Sequence, residues 1–142
     1  MSTLRAQALI LDDSPVLARH LQLLLERLGI GADVWTEARH AQAPGSGIAL
    51  RAEAPPADVI FVEVLQACGN GFQLLRELAR TRACPLVLLT GTGRASDRHW
   101  GLQAGAAAVL RRPVDEAALR VCLQELGILP GASAALRHDA VG

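Results

Sequence analysis

The stretch DVIFVEVLQACGNGF, Asp58 to Phe72, decides the fold. Its apolar core, Val59 to Val62, runs without alternation, the pattern of a strand covered on both faces. The run stops at one carboxylate, Glu63, and passes through small residues into a helical pattern that starts at Phe72. A strand that ends in an acid and feeds a helix is a unit of an open parallel sheet. In such sheets ligands and chemistry collect beyond the carboxyl ends of the strands.

The same unit recurs on either side. Ala8 to Leu11 is a first strand ending in Asp12-Asp13, followed by Ser14 as a candidate N-cap and Pro15 in the first helical turn. Leu17, Leu21, Leu24 and Leu28 then repeat at helical spacing up to Gly29, and Ala32 to Thr36 is a weaker second strand. Pro44-Gly45-Ser46-Gly47 interrupts the next segment, leaving only Ile48 to Ala54 before Pro55-Pro56, so the second helix is expected to be short or displaced.

Beyond the central strand, Phe72 to Ala79 forms a helix with Leu74, Leu75 and Leu78 inward, and Leu86 to Leu89 a fourth strand ending in Thr90. Ala95 to Gln103 is a fourth helix closed near Gly105, Ala106 to Leu110 a fifth strand ending in Arg111-Arg112-Pro113, and Val114 to Leu126 the last helix, with Gly127 after it. The expected fold class is α/β, a doubly wound five-stranded parallel sheet. Residues 1–128 read as one domain and 129–142 as a C-terminal tail or linker.

A hydrophobic content of 51% with a formal net charge of +0 argues against disorder, and no basic run offers a surface for tracking phosphates, so nucleic acid is not expected as a direct partner. The apolar run near the start is four residues long and is broken at once by two acids, which fits neither a signal peptide nor a membrane span. A cytoplasmic location is expected. Cys68, Cys84 and Cys122 form no C-x-x-C pair and read as small buried hydrophobes in a reducing compartment. The segment TGTGR, Thr90 to Arg94, lacks the lysine and spacing of a phosphate-binding loop, which argues against a nucleotide-binding domain of another family.

The strand ends carry Asp12, Asp13, Glu63, Thr90 and Arg112. Acids, a hydroxyl and a cation gathered at one sheet edge suit a divalent metal and a phosphoryl group, because hard cations take carboxylate oxygens and phosphoryl oxygens take cations and donors. The plainer alternative is that residues such as Asp13, Ser14 and Asp115 only cap helices.

From Leu4 to about Leu126 the chain resembles response-regulator receiver domains, with their flavodoxin-like fold. LILDDSP is similar to the family's first strand and acid pair, DVIFVE to the strand of the phosphoacceptor, and GNGFQLLREL to the loop glycine and third helix. VLLTG resembles the strand with the signalling hydroxyl, and LRRPVDEAAL the lysine-proline motif. Within the family, DRHWGLQAGAAAVLRRPVDEAAL is similar to small stand-alone receivers of twitching-motility systems.

The resemblance implies roles, and this chain departs from several of them. Glu63 stands where the family has the phosphoaccepting aspartate, Arg112 where it has lysine, Val109 at the switch-aromatic position, and Ala67 where a proline is usual. Glutamate sets its carboxylate about 1.5 Å further out, and a misplacement of about 1 Å can cost on the order of 100-fold in phosphoryl transfer. Arg112 is expected either to grip Glu63 and fill the pocket or to point to solvent beside Arg111.

The expectation is a degenerate receiver that is not an enzyme, requires no cofactor, and binds magnesium weakly through Asp12, Asp13 and Glu63. It would act as a phosphorylation-independent interaction module for a signalling protein or an output domain. Homodimerisation through the fourth helix, fifth strand and fifth helix is the other partner option, with Trp100, Val109 and Arg111 as candidate contacts. Trp100 is alternatively a packing residue. The competing function is a working receiver whose phosphoacceptor has shifted to Glu63 or to one of the acid pair.

Overall fold

The computed structural model describes residues 6–12, 14–35, 57–66, 69–92 and 94–131. Strand β1 (Gln7–Leu11) leads into helix α1 (Pro15–Arg27) and strand β2 (Gly31–Trp35), and β3 (Val59–Glu63) is the central strand. A two-residue ribbon, β4 (Leu65–Gln66) against β5 (Gly69–Asn70), precedes α2 (Gly71–Thr81). The chain continues through β6 (Leu86–Thr90), α3 (Ala95–Ala104), β7 (Ala108–Arg111) and α4 (Glu116–Glu125). The segment expected to hold the irregular second helix lies outside the described residues, as do Asp13, Ala67, Cys68 and residues 132–142.

Five strands form one parallel sheet in the order β2-β1-β3-β6-β7. The chain steps outward from β1 to β2 and then crosses to β3 on the other side, so the order reverses at β1, and the ends of β1 and β3 flank the reversal. The doubly wound arrangement expected from the sequence is the one observed.

Alternate strand residues enter two apolar layers. Ile10, Phe61, Val87 and Leu89 face Leu21, Leu25, Leu119 and Leu123 of α1 and α4. Leu9, Leu11, Ile60, Val62 and Leu88 face Leu75 and Leu78 of α2 and Ala104 at the end of α3. Neither face of the central strands is left to water, which is why β3 and β6 carry no polar residue before their last position.

Helix starts follow their caps. Ser14 Oγ accepts from the Leu17 N–H at 3.3 Å and Pro15 occupies the first turn. The last helix begins at Glu116, not at Val114 as the hydrophobic pattern suggested, because Asp115 caps it by accepting from the Ala118 N–H at 3.0 Å. Val114 is released from the helix and drops into the core, 5% exposed. The fifth strand likewise runs from Ala108 to Arg111, two residues later at its start than the apolar run.

Helix α3 ends at Gly105, whose φ of 117° lies in the left-handed region, and a Cβ there would stand 2.6 Å from the Ala79 Cβ of α2. Glycine is needed twice over, for the backbone and for the helix contact. Gly105→Ala is therefore expected to cost at least about 1–2 kcal/mol, read as a lowered urea midpoint with an unchanged slope.

Candidate functional site

Register brings the strand-end residues together. Leu11 pairs with Val62, so the next residues along, Asp12 and Glu63, leave the sheet side by side. On the other flank Thr90 pairs with Arg111, and the Arg112 N–H donates to the Thr90 carbonyl at 2.8 Å, which places Arg112 at the same edge. The Arg112–Pro113 peptide bond is cis.

Asp12 is held from two sides. Its N–H donates to the Trp35 carbonyl at 3.3 Å, and its Oδ1 accepts from the Ser14 N–H at 3.0 Å. That leaves Oδ2 turned toward Arg112, whose Nη1 lies 3.0 Å away. The same nitrogen contacts Glu63 Oε1. Nη1 is therefore at ion-pair distance from both carboxylates, although it forms an aligned hydrogen bond with neither.

The Arg112, Asp12 and Glu63 side chains are 8%, 3% and 6% exposed. Burial at this level matters, because a pair out of water gains Coulomb attraction but has lost hydration on both partners. One guanidinium shared by two carboxylates leaves the described cluster with a formal charge of −1. Arg112 takes the pocket and not the solvent, while its neighbour Arg111 is exposed.

A magnesium ion suits a carboxylate cluster, so the fit can be judged from the donor set. Asp12 Oδ2 and Glu63 Oε1 are the inward oxygens, and a guanidinium nitrogen already stands against both. Among the described residues no group of three or more His, Cys, Asp or Glu side chains is placed to hold a metal ion. With Arg112 in this position a divalent ion would have to displace a guanidinium nitrogen that stands against both inward oxygens. Asp13, the other half of the acid pair, lies outside the described residues.

Thr90 ends β6 and is 1% exposed, but its hydroxyl is engaged with α3: it donates to Asp97 Oδ2 at 2.8 Å. Asp97 was not among the residues that the sequence singled out. An acid three residues after a helix N-cap, behind a hydroxyl-rich loop, is the signal that could have found it, since such acids reach back toward the preceding turn.

The candidate interface residues separate. Trp100 is 58% exposed, with the His99 ring edge-on at a centroid distance of 5.2 Å, so it is not a core residue; Trp35, at 8%, is. Val109 of β7 is partly buried against the apolar layer of Leu88 and Ala104 and lines a groove of about 450 Å³ between α3 and α4, together with Arg98, Val121 and Glu125. Trp100 and Arg111 lie outside that lining. Cys122 is buried and its thiol is pushed up to about 11, first by burial and then by Glu125, which makes it an inert packing group. Burial also raises the Cys84 thiol. No helix among the described residues is long and apolar enough to cross a membrane.

Comparison with known proteins agrees with this geometry. The family model for the response regulator receiver domain matches residues 8–124. Protein PilH of Pseudomonas aeruginosa is 35% identical over 117 residues, covering 80% of this chain and 91% of its own length. Protein PetR of Rhodobacter capsulatus is 32% identical over 115 residues, 81% of this chain, but the chain spans only 46% of PetR. Among solved structures, a response regulator receiver protein from Burkholderia phymatum superposes with a TM-score of 0.71 at 28% identity, covering 88% of this chain and 98% of that one. A two-component response regulator from Clostridium difficile, 22% identical, shares the fold with a TM-score of 0.73 over 86% of this chain and 95% of that one. The chain belongs to the response-regulator receiver family.

Proposed function

We propose that this domain is an atypical receiver that works as a protein-interaction module without a phosphorylation cycle, in bacterial signal transduction. The observation that carries the proposal is the contact of Arg112 Nη1 with both Asp12 and Glu63. In the receivers that the chain resembles, an acid pair and an aspartate hold magnesium, and that aspartate accepts the phosphoryl group. Here a glutamate occupies the acceptor position, and a side chain of the domain itself occupies the cation position.

Three further features support it. In-line transfer depends almost wholly on positioning, and the longer Glu63 side chain puts its carboxylate against Arg112. Val109 has no ring to turn inward, so the switch lacks its moving part. The guanidinium already supplies a fixed positive charge, so magnesium binds more weakly than in receivers that keep aspartate and lysine. The domain is not an enzyme in this account and needs no cofactor.

The partner is a signalling protein or an output domain, and the α3–β7–α4 face is its contact surface. Trp100 presents an exposed aromatic there, Val109 lines the groove, and Arg111 is exposed at the strand end. Pairing of two copies through the same face is the other use of it. The resemblance of Asp97 to Leu119 to the stand-alone receivers of twitching-motility systems makes that branch of the family the first place to seek the partner, and the match over 91% of PilH fits a receiver of single-domain length.

A second function is favoured by one observation: Asp12 and Glu63 keep a buried acid pocket at the end of the sheet. A receiver that accepts a phosphoryl group on Glu63 or on one of the acid pair would use it.

Incubation with acetyl phosphate and magnesium separates the two. Intact mass is expected to stay unchanged in the wild type, and Glu63→Asp alone is not expected to restore switching of partner affinity, because Arg112 and Val109 are still present. An added phosphoryl group that alters partner affinity would reject the interaction-module account. Glu63→Gln, which keeps the shape and removes the charge, is expected to weaken partner capture if that charge sets the binding form; loss of stability alone would make the pair structural. Trp100→Ala is expected to stay within about 0.5 kcal/mol of wild-type stability while lowering capture of the partner by the tagged protein. A large stability loss with full capture would return Trp100 to the core.

A further inference from the structure

The loop between β6 and α3 contains a closed hydrogen-bond network that the acid pocket does not explain. The Thr90 hydroxyl donates to Asp97 Oδ2 at 2.8 Å, and the Thr92 hydroxyl donates to the same oxygen. Each hydroxyl has one proton, so both are spent on one carboxylate oxygen. Their oxygens then accept from the backbone: Thr92 N–H to Thr90 Oγ1 at 3.2 Å, and Arg94 N–H to Thr92 Oγ1 at 3.2 Å. The 3.3 Å approach of the two hydroxyl oxygens results from their shared acceptor.

Asp97 is in the first turn of α3, whose N-cap residue, Arg94, makes no side-chain capping bond. The carboxylate reaches back to the loop hydroxyls, and it sits where the helix dipole favours negative charge. Hydrogen bonds from Thr92 and then from Thr90 hold its carboxyl below the ordinary aspartate range; burial opposes this and the Arg94 charge adds to it. Hydroxyls bound to an ionised acceptor are the stronger class of hydrogen bond.

We infer that Asp97 is a positioning residue that commits the Thr90 hydroxyl proton to α3, so that the β6–α3 loop and the start of α3 are held in one arrangement whatever occupies the acid pocket. A hydroxyl donates to one acceptor at a time. While Asp97 holds Thr90, a group at the pocket cannot also take that proton, and the helix that carries Trp100 is tied to the sheet edge by the chain's own carboxylate. The inference goes beyond the function proposed above and stands without it, since the network involves neither Glu63 nor Arg112.

The full chain tests it by carbon-detected NMR titration of the Asp97 carboxyl, paired with amide hydrogen exchange. In the wild type Asp97 is expected to titrate below the ordinary aspartate range. Because its folded pKa is depressed, the contribution to stability is complete above the unfolded value and is lost as pH falls through the folded one. Thr90→Val and Thr92→Val should each raise the titration toward the ordinary value, and Thr90→Ser should leave it low. Asp97→Asn should speed exchange at the Thr92 and Arg94 amides by about tenfold or more, as expected for loss of a hydrogen bond to a charged group, with β1 amides unchanged. Thr92 is exposed, so Thr92→Val keeps the test available if Thr90→Val fails to fold. Wild-type Asp97 titrating in the ordinary range, Thr92→Val leaving it depressed, or unaltered exchange in Asp97→Asn would each overturn the inference. Phosphorylation at Glu63 would overturn only the function proposed above.

Discussion

A guanidinium shared by two buried carboxylates requires three chain segments delivered to one point, and the parallel sheet delivers them. Asp12 comes directly after β1, Glu63 ends β3 and Arg112 comes directly after β7, and the strand register sets them at a common edge. The exchange of water for ion pairing is close to balanced when all three are present. Removing Arg112 is not, since two buried carboxylates would be left without their cation, at a cost of roughly 3–5 kcal/mol. The cluster therefore ties together the ends of three strands, with a guanidinium nitrogen against the inward oxygens of both carboxylates.

The hydroxyl at the end of β6 is drawn the other way. Thr90 comes after Leu89, the residue that pairs with Glu63, yet its hydroxyl proton goes to Asp97 on α3. The sheet edge thus carries two networks, one of charge around Arg112 and one of hydroxyls around Asp97. A switch of the family's kind needs a hydroxyl free to move and an aromatic free to turn. Here the Thr90 hydroxyl is bound to Asp97, and Val109 of β7, which the resemblance sets at the aromatic position, lies under Gly101, where a Cβ would stand 3.3 Å from Val109 Cγ2.

The central strands were legible because burial on both faces forbids polar residues until the last position. Val59 to Val62 and Leu86 to Leu89 could hardly be anything else, and their ends marked Glu63 and Thr90. Arg112 was legible as a strand-end cation, but its direction was not, because a flexible side chain beside Arg111 has no periodicity to reveal which of the two turns inward. Trp100 was ambiguous for a related reason: α3 is short and weakly amphipathic, so the packing role fitted the sequence as well as the exposed position that the structure gives it. The start of α4 was misplaced because the apolar pattern continues through Val114 while the helix waits for its cap, Asp115. The Thr90–Asp97 bond depended on loop geometry that no hydrophobic period encodes.

The proposal that Arg112 stands in for the pocket's cation is tested most directly by magnesium-dependent stability. Urea unfolding of the wild type and of Arg112→Ala would be monitored with and without millimolar magnesium. A ligand that binds only the folded state raises stability in proportion to its occupancy. The wild-type midpoint is predicted to be indifferent to magnesium, while Arg112→Ala is less stable without the ion and recovers stability when it is added, because two facing carboxylates then have room for it. A wild-type midpoint that rises with magnesium as much as that of Arg112→Ala would contradict the account.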